Sequence, residues 1–254
     1  MPETLQVALV GYGFVGKLFH APLISAVHGL TLHSVVSSNA VAVHADHPEA
    51  RVSPDLGVVL ADPAVQLIVI ATPNVLHASQ AHAALDAGKH VIVDKPFTVT
   101  VAEADAVIEH AARAGRVLSV FHNRRYDSDF LTLQQLIASG ALGEVTQFES
   151  HFDRFRLEVR DRWRERSGPG AGLWYDLAPH LLDQALQFDM QRVGAGLRFG
   201  GFAACAVQAL RSVGVGSFQA HRRRLAVVGD QRLRALLVAQ VFDFLRAGQH
   251  AGLF

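Results

Sequence analysis

The residues best suited to chemistry sit in short segments that each follow an apolar run. Gly11-Tyr12-Gly13-Phe14-Val15-Gly16 comes directly after Leu5–Val10 and fits G-x-G-x-x-G. In that pattern the first glycine makes a tight turn, the second lets a pyrophosphate approach the backbone, and the third lets helix and strand pack closely. The N–H groups of Phe14, Val15 and Gly16 then open a helix whose positive end suits phosphate oxygens. The same residues also fit G-x-x-x-x-G-K, ending at Lys17, but Leu18 stands where a P-loop needs Ser or Thr for magnesium. A dinucleotide site is the better reading.

Three more segments lie where strands should end. Thr72-Pro73-Asn74-Val75-Leu76-His77 follows Leu67–Ala71, Asp94-Lys95-Pro96 closes His90–Asp94, and Asn123-Arg124-Arg125 follows Val117–Phe121. Alone, each has a plainer reading: a Pro-Asn turn capping a helix, a solvated surface lysine, a basic loop. Ser37 and Ser38 end another run, where a Rossmann site for NAD usually carries an acid bonded to the ribose 2′-hydroxyl. With no acid there, hydroxyls that can donate to a 2′-phosphate favour NADP over NAD, although no Lys or Arg stands in the same stretch.

The elements that must hold these segments alternate. Leu5–Val10, Leu32–Ser37, Leu67–Ala71, His90–Asp94 and Val117–Phe121 read as strands, each a short apolar run of the buried parallel type. Val15–Val27, Leu76–Ala87 and Val101–Ala114 read as helices, the first shortened or kinked at Pro22, the other two closing at Gly88 and Gly115. Alternation of this kind predicts an α/β fold with a doubly wound parallel sheet over residues 1–121. Glu144–Asp153 reads as the first strand, and Trp174–Phe188 as a helix, of a second α/β domain spanning 122–254.

These segments together resemble the glucose–fructose oxidoreductase / inositol 2-dehydrogenase family, also called Gfo/Idh/MocA. That family joins an N-terminal G-x-G-x-x-G to T-P-N-x-x-H and E-K-P, here Gly11–Gly16, Thr72–His77 and Asp94-Lys95-Pro96, with Asp in place of Glu. Gly16–Pro22 and Asn123-Arg124-Arg125 resemble one branch of its oxidoreductases. The resemblance continues through Arg162-Trp163-Arg164 and through Gly170–Asp183, where Ala178 replaces a glycine of the family's D-x-G-x-H segment. It spans about residues 5–188.

The resemblance implies an NAD(P)-dependent enzyme that moves a hydride between nicotinamide and a carbinol carbon of a sugar, polyol or related small molecule. Oxidising an alcohol needs a base for its proton and a cation or donor for the developing alkoxide. By the same resemblance Lys95 bonds the reacting oxygen, on a Lys95–Pro96 peptide expected to be cis. A positive nicotinamide nearby is expected to depress its pKa. His180 is the candidate base, with Asp176 four residues earlier. Pro179 is expected at a helix start, which places His180 in a first turn whose dipole favours the neutral ring. Asn123, Trp163 and Arg164 join the candidate contacts, with the glycine loop, Ser37, Ser38, Thr72, Pro73, Asn74, His77 and Asp94 around the cofactor.

Composition removes several other classes. Half the residues are apolar and 18% charged, as in a globular chain. No apolar run nears the ~18 residues of a membrane span, and the start has no secretory pattern, so a cytoplasmic location is expected. A single cysteine, Cys205, excludes an intramolecular disulfide and a cysteine zinc site. His44 and His47 lack a matching acidic or thiol cluster, so no metal is expected. No tyrosine is followed four residues on by lysine, the pair a short-chain dehydrogenase would need.

The net charge of zero conceals two unlike segments. Residues 1–188 carry 14 Lys and Arg against 20 Asp and Glu, while 189–254 carry nine Arg against three Asp. The last 66 residues also lack Lys, Glu, Pro, Ile, Thr, Asn, Tyr and Trp. The resemblance stops there, so an incomplete second domain is expected. A change of reading frame in a GC-rich gene would yield such a composition. Family members are often homo-oligomers. Two other functions fit the residues less well: a non-catalytic NAD(P)-binding sensor, and phosphate binding by His221-Arg222-Arg223-Arg224, which no nucleic-acid motif accompanies.

Overall fold

A computed structural model describes residues 4–145, 148–153, 155, 157–158 and 161–187. The pattern change at 189–254 lies outside these residues. The described chain falls into two compact units, one over residues 4–121 and one over 122–187.

The first unit is a six-stranded, all-parallel sheet: β1 (Leu5–Val10), β2 (Leu30–Val36), β3 (Arg51–Ser53), β4 (Leu67–Ile70), β5 (His90–Asp94) and β6 (Leu118–Phe121). Their spatial order is β3-β2-β1-β4-β5-β6. The central strands β1 and β4 are apolar at every position but Gln6 because both faces are covered, and successive side chains divide between two cores. Val7, Leu9, Leu67 and Val69 pack with Ala21, Ile24 and Val43 on one face. Ala8, Val10, Ile68 and Ile70 pack with Ala81, Leu85, Val107 and Ile108 on the other. Each fully buried Val, Leu or Ile contributes about 1.5–3 kcal/mol to the fold.

On the first face lie α1 (Ala21–Ala26) and α2 (Ala40–Asp46); on the second, α3 (Leu56–Ala61), α4 (His77–Asp86) and α5 (Val101–Ala114). The helix read over Val15–Val27 and expected to be shortened or kinked at Pro22 is an α-helix only over Ala21–Ala26, with Pro22 in its first turn. A π-turn over Gly16–His20 leads into α1, with the Ala21 N–H donating to Gly16 O, five residues back. The widened turn admits a residue that has no N–H and whose ring would crowd a normal turn. Sequence periodicity missed α2, α3 and β3. Their starts are nevertheless capped, Asn39 accepting from the Ala42 N–H and Asp55 from the Gly57 N–H. Thr100 and Glu103 form a reciprocal capping box on α5, and Gly115 closes it at φ 62°.

Every regular element among the described residues of the second unit is helical. A 3₁₀ turn at Asn123–Tyr126 precedes α6 (Ser128–Ala138), and a second at Trp163–Glu165 precedes α7 (Gly172–Gln187). Two expectations are corrected here. The described residues of Glu144–Asp153 form no strand, since a strand persists only where a neighbour pairs its N–H and C=O groups and none of the described residues supplies one. Pro179 lies inside α7 rather than at its start. Ala178, His180, Asp183, Gln184 and Ala185 are buried along the helix, and packing of that face outweighs the lost backbone bond. No helix among the described residues is long and apolar enough to cross a membrane.

Candidate nucleotide and active site

β1 sits between β2 and β4, so chain order reverses at its carboxyl end and the loops diverge to leave a crevice. Backbone bonds pin the loops that line it: the Gly11 N–H to Val36 O at 3.0 Å, the Ala71 N–H to Val10 O at 2.8 Å, and the Ser37 N–H to Ser53 O at 2.9 Å. The three glycines of the loop have different causes. Gly11 has φ +99°, and a Cβ there would stand 2.7 Å from Ala71 O; a Cβ on Gly16 would stand 2.1 Å from Gly11 O. Around a Cβ on Gly13 nothing lies within 4 Å. The domain's own packing thus demands Gly11 and Gly16, whereas Gly13 leaves room for a group from outside, as a dinucleotide pyrophosphate requires. The residues present fit that cofactor. Phe14 beside them is 70% exposed, its ring 6.1 Å from that of Phe19.

Tyr12 and Lys17 both hold Asp46 at the end of α2, at 2.9 and 2.8 Å to the same carboxylate oxygen. The lysine contact, with the tyrosine's, keeps Asp46 below the usual carboxylate range. Burial and the carboxylate together push the Tyr12 hydroxyl up to about 12. This tie between glycine loop and α2 was not visible in the sequence, because its partners are 34 and 29 residues apart. At the end of β2, Ser37 Oγ accepts the Asn39 N–H at 3.1 Å, leaving its own O–H to donate, and Ser38 is exposed.

The loops after β4 and β5 meet through α4. Thr72 donates its hydroxyl to Gln80 Oε1 at 2.6 Å. His77, 1% exposed, sets Nε2 2.9 Å from Thr72 O and Nδ1 2.9 Å from Pro96 O. Its ring is thus spent inside the domain and is not open to a cofactor, contrary to its expected role as a cofactor contact. Asn74 is buried and Pro73 exposed. Lys95–Pro96 is cis, and Lys95 is 9% exposed. Asp94 is buried with His20, whose Nε2 lies 3.8 Å from its carboxylate and whose ring lies 4.4 Å from that of Phe121, tilted by 50°. Burial opposes ionisation of Asp94, but His20 and Lys95 outweigh it and hold the carboxyl below its usual range.

In the second unit the continuous α7 puts Asp176 and His180 four residues apart on one face. His180, 6% exposed, lies more than two turns into the helix with the Phe152 ring edge-on at 6.5 Å. The N-terminal dipole therefore does not act on it as expected. Arg164 lies 3.8 Å from Asp176 and 5.1 Å above the Trp163 ring. One turn beyond His180, Asp183 receives a two-pronged bond from Arg125, Nε to Oδ2 at 2.6 Å and Nη2 to Oδ1. Gln184 Nε2 donates to Arg124 O at 2.8 Å. These contacts lock α7 to the turn that begins at Asn123. Sequence reading missed Gln80 and Gln184; His20, Arg125 and Asp183 stood inside quoted motifs without an assigned role. Among the described residues no three His, Cys, Asp or Glu side chains are arranged to hold a metal.

A doubly wound parallel sheet with a glycine loop at its switch point defines a nucleotide-binding domain of the Rossmann type. Residues 5–122 match the oxidoreductase family with an NAD-binding Rossmann fold, and 130–199 match the Gfo/Idh/MocA C-terminal domain. The chain belongs to the Gfo/Idh/MocA oxidoreductase family. The second match runs past residue 188, where the sequence reading ended the resemblance.

Similar proteins include an uncharacterized oxidoreductase, YdgJ, of Escherichia coli, 58% identical over 186 residues that cover 73% of this chain and 54% of that protein. The scyllo-inositol 2-dehydrogenase (NADP(+)) IolW of Bacillus subtilis is 39% identical over 72% of this chain and 51% of its own length. The crystal structure of GenD2 from gentamicin A biosynthesis, in complex with NAD, superposes with a TM-score of 0.62 at 30% identity, covering 72% of this chain and 53% of that one. The chain spans about half the length of the curated relatives it matches.

Proposed function

We propose that the protein is an NAD(P)-dependent oxidoreductase that interconverts a carbinol and a carbonyl carbon on a sugar, polyol or related small molecule. In this reading residues 1–121 bind the nucleotide and 122–254 serve the substrate. The observation that carries it is the buried Lys95 on a loop beside the glycine crevice, at the edge where open parallel sheets bind ligands. The nucleotide, when bound, supplies the hydride acceptor or donor. Gly11–Gly16 and Thr72–Asn74 would hold it. Lys95 Nζ would bond the reacting oxygen and stabilise it as the alkoxide develops. The His180 imidazole would take the hydroxyl proton, with Asp176 and its Arg164 partner orienting that face of α7. Trp163 and Asn123 would complete the contacts.

The missing acid after β2 and the free hydroxyl hydrogens of Ser37 and Ser38 favour NADP. IolW, named as an NADP(+) enzyme for scyllo-inositol, supports both the cofactor and a polyol substrate. Fluorescence titration with NADPH and NADH, followed by a panel of polyols and sugars with NADP⁺, tests the reading. Tighter binding of NADPH and nucleotide reduction by at least one polyol are expected. Absence of any nucleotide binding would overturn it.

A further inference from the structure

The geometry points to His77 as the positioning residue for Lys95, acting through a two-sided hold on the loops after β4 and β5. This inference rests on the reading of Lys95 as the lysine of the reacting site. His77 is the first residue of α4, so its ring is mounted on a helix packed against the sheet core rather than on a loop. Each ring nitrogen faces a backbone carbonyl oxygen at 2.9 Å: Thr72 O in one loop, and Pro96 O, one residue after Lys95, in the other. Buried carbonyls require donors, and side-chain bonds to backbone are how irregular loops meet that need. Both contacts are hydrogen bonds when both nitrogens carry hydrogen; with one hydrogen, only one loop is held.

A space-filling core histidine would not need two acceptors from two different loops. One turn later Gln80 accepts the Thr72 hydroxyl. The same face of α4 therefore meets Thr72 at its carbonyl and its hydroxyl, and meets the lysine loop at Pro96 O. Removing the ring frees the Pro96 carbonyl, and with it the backbone that aims Lys95.

The chain contains three lysines, which makes the test clean. Lys17 is surface-exposed on Asp46. Lys89 is buried elsewhere in the same unit, its Nζ bonded to Asp62 O and Val65 O at 2.8 Å each. Lys95 is buried in the crevice loop. A short pulse of an amine acylating reagent, read residue by residue by mass spectrometry, reports how often each ε-amine opens to solvent.

In the full chain Lys17 should label fast and the other two slowly. In His77→Gln, which keeps the side chain's bulk and one donor, and in His77→Ala, Lys95 labelling should rise, by about tenfold in the alanine variant, equivalent to about 1.4 kcal/mol in its opening equilibrium. Lys89 should stay at the wild-type rate. Unchanged Lys95 labelling in both variants would overturn the inference. So would a parallel rise at Lys89, which is the signature of general loosening and of a merely structural histidine. NADPH titration of the wild-type chain separates the two readings: failure to bind nucleotide sinks the proposed function, while the labelling pattern still decides what His77 does.

Discussion

Lys95 and Asp94 are neighbours in sequence with opposite charges, and both are buried at the carboxyl end of β5. Removing the lysine as Lys95→Met keeps its length and apolar stem. Turnover in the polyol assay should fall about 10²–10⁴-fold, the range for losing a positioned acid–base group, while NADPH affinity stays near wild type. Equal loss of both would assign Lys95 to binding alone. Asp94 carries a pH signature. Its carboxyl titrates below the usual range, so it contributes stability that is complete above the ordinary carboxylate value near 4 and is lost as pH falls through the lower, folded one. His20→Phe removes the imidazole whose Nε2 faces that carboxylate at 3.8 Å. Acid unfolding followed by circular dichroism should move to higher pH, with a loss near neutrality of about 1–3 kcal/mol. An unmoved acid limb would show that Lys95 alone holds the carboxylate.

The elements that carry these side chains differ in how far their sequence reveals them. β1 and β5 have the bounds expected, because a buried parallel strand is a short apolar run stopped by polar or glycine residues. Three residues of β3 and seven of α2 are too short for any period to show, and only the caps at Asn39 and Asp55 mark the helices there. Pro179 reads as a boundary in any local rule, yet burial of the α7 face overrides that rule. The glycine loop and the Thr72 and Lys95 segments were legible because each is contiguous. The tie from His77 to Pro96 was not, since it joins residues 19 apart that only the fold brings together. The glycine loop yields the sharpest test at this scale. Gly16→Ala forces a Cβ onto Gly11 O and should destabilise or unfold the domain. Gly13→Ala meets open space and should leave thermal stability equal or raised by about 0.4–1 kcal/mol through the unfolded chain. The same substitution should abolish NADPH binding. A Gly13→Ala protein that binds NADPH normally would remove the pyrophosphate from this loop.

Across the whole molecule, nucleotide recognition and the helical second unit rest on different interactions and should respond to different perturbations. The proposed nucleotide contacts lie in the loops of residues 4–121, apart from Asn123, Trp163 and Arg164. The second unit depends on the Arg125–Asp183 fork, supported by Gln184 on Arg124 O. Arg125→Met leaves the Asp183 carboxylate without its bidentate donor. The arginine is more than a third exposed, so the cost should be about 1–3 kcal/mol, less than for a fully buried pair. NADPH at about 100 times its Kd should raise the stability of the nucleotide-binding unit by roughly 2.7 kcal/mol in wild type and in Arg125→Met alike. Calorimetric scans with and without NADPH should therefore show two separable shifts, one set by the nucleotide and one by the arginine. If Arg125→Met instead erased the nucleotide-induced shift, NADPH binding would depend mainly on the second unit rather than on the loops of residues 4–121, and the division of labour between residues 1–121 and 122–254 would have to be redrawn.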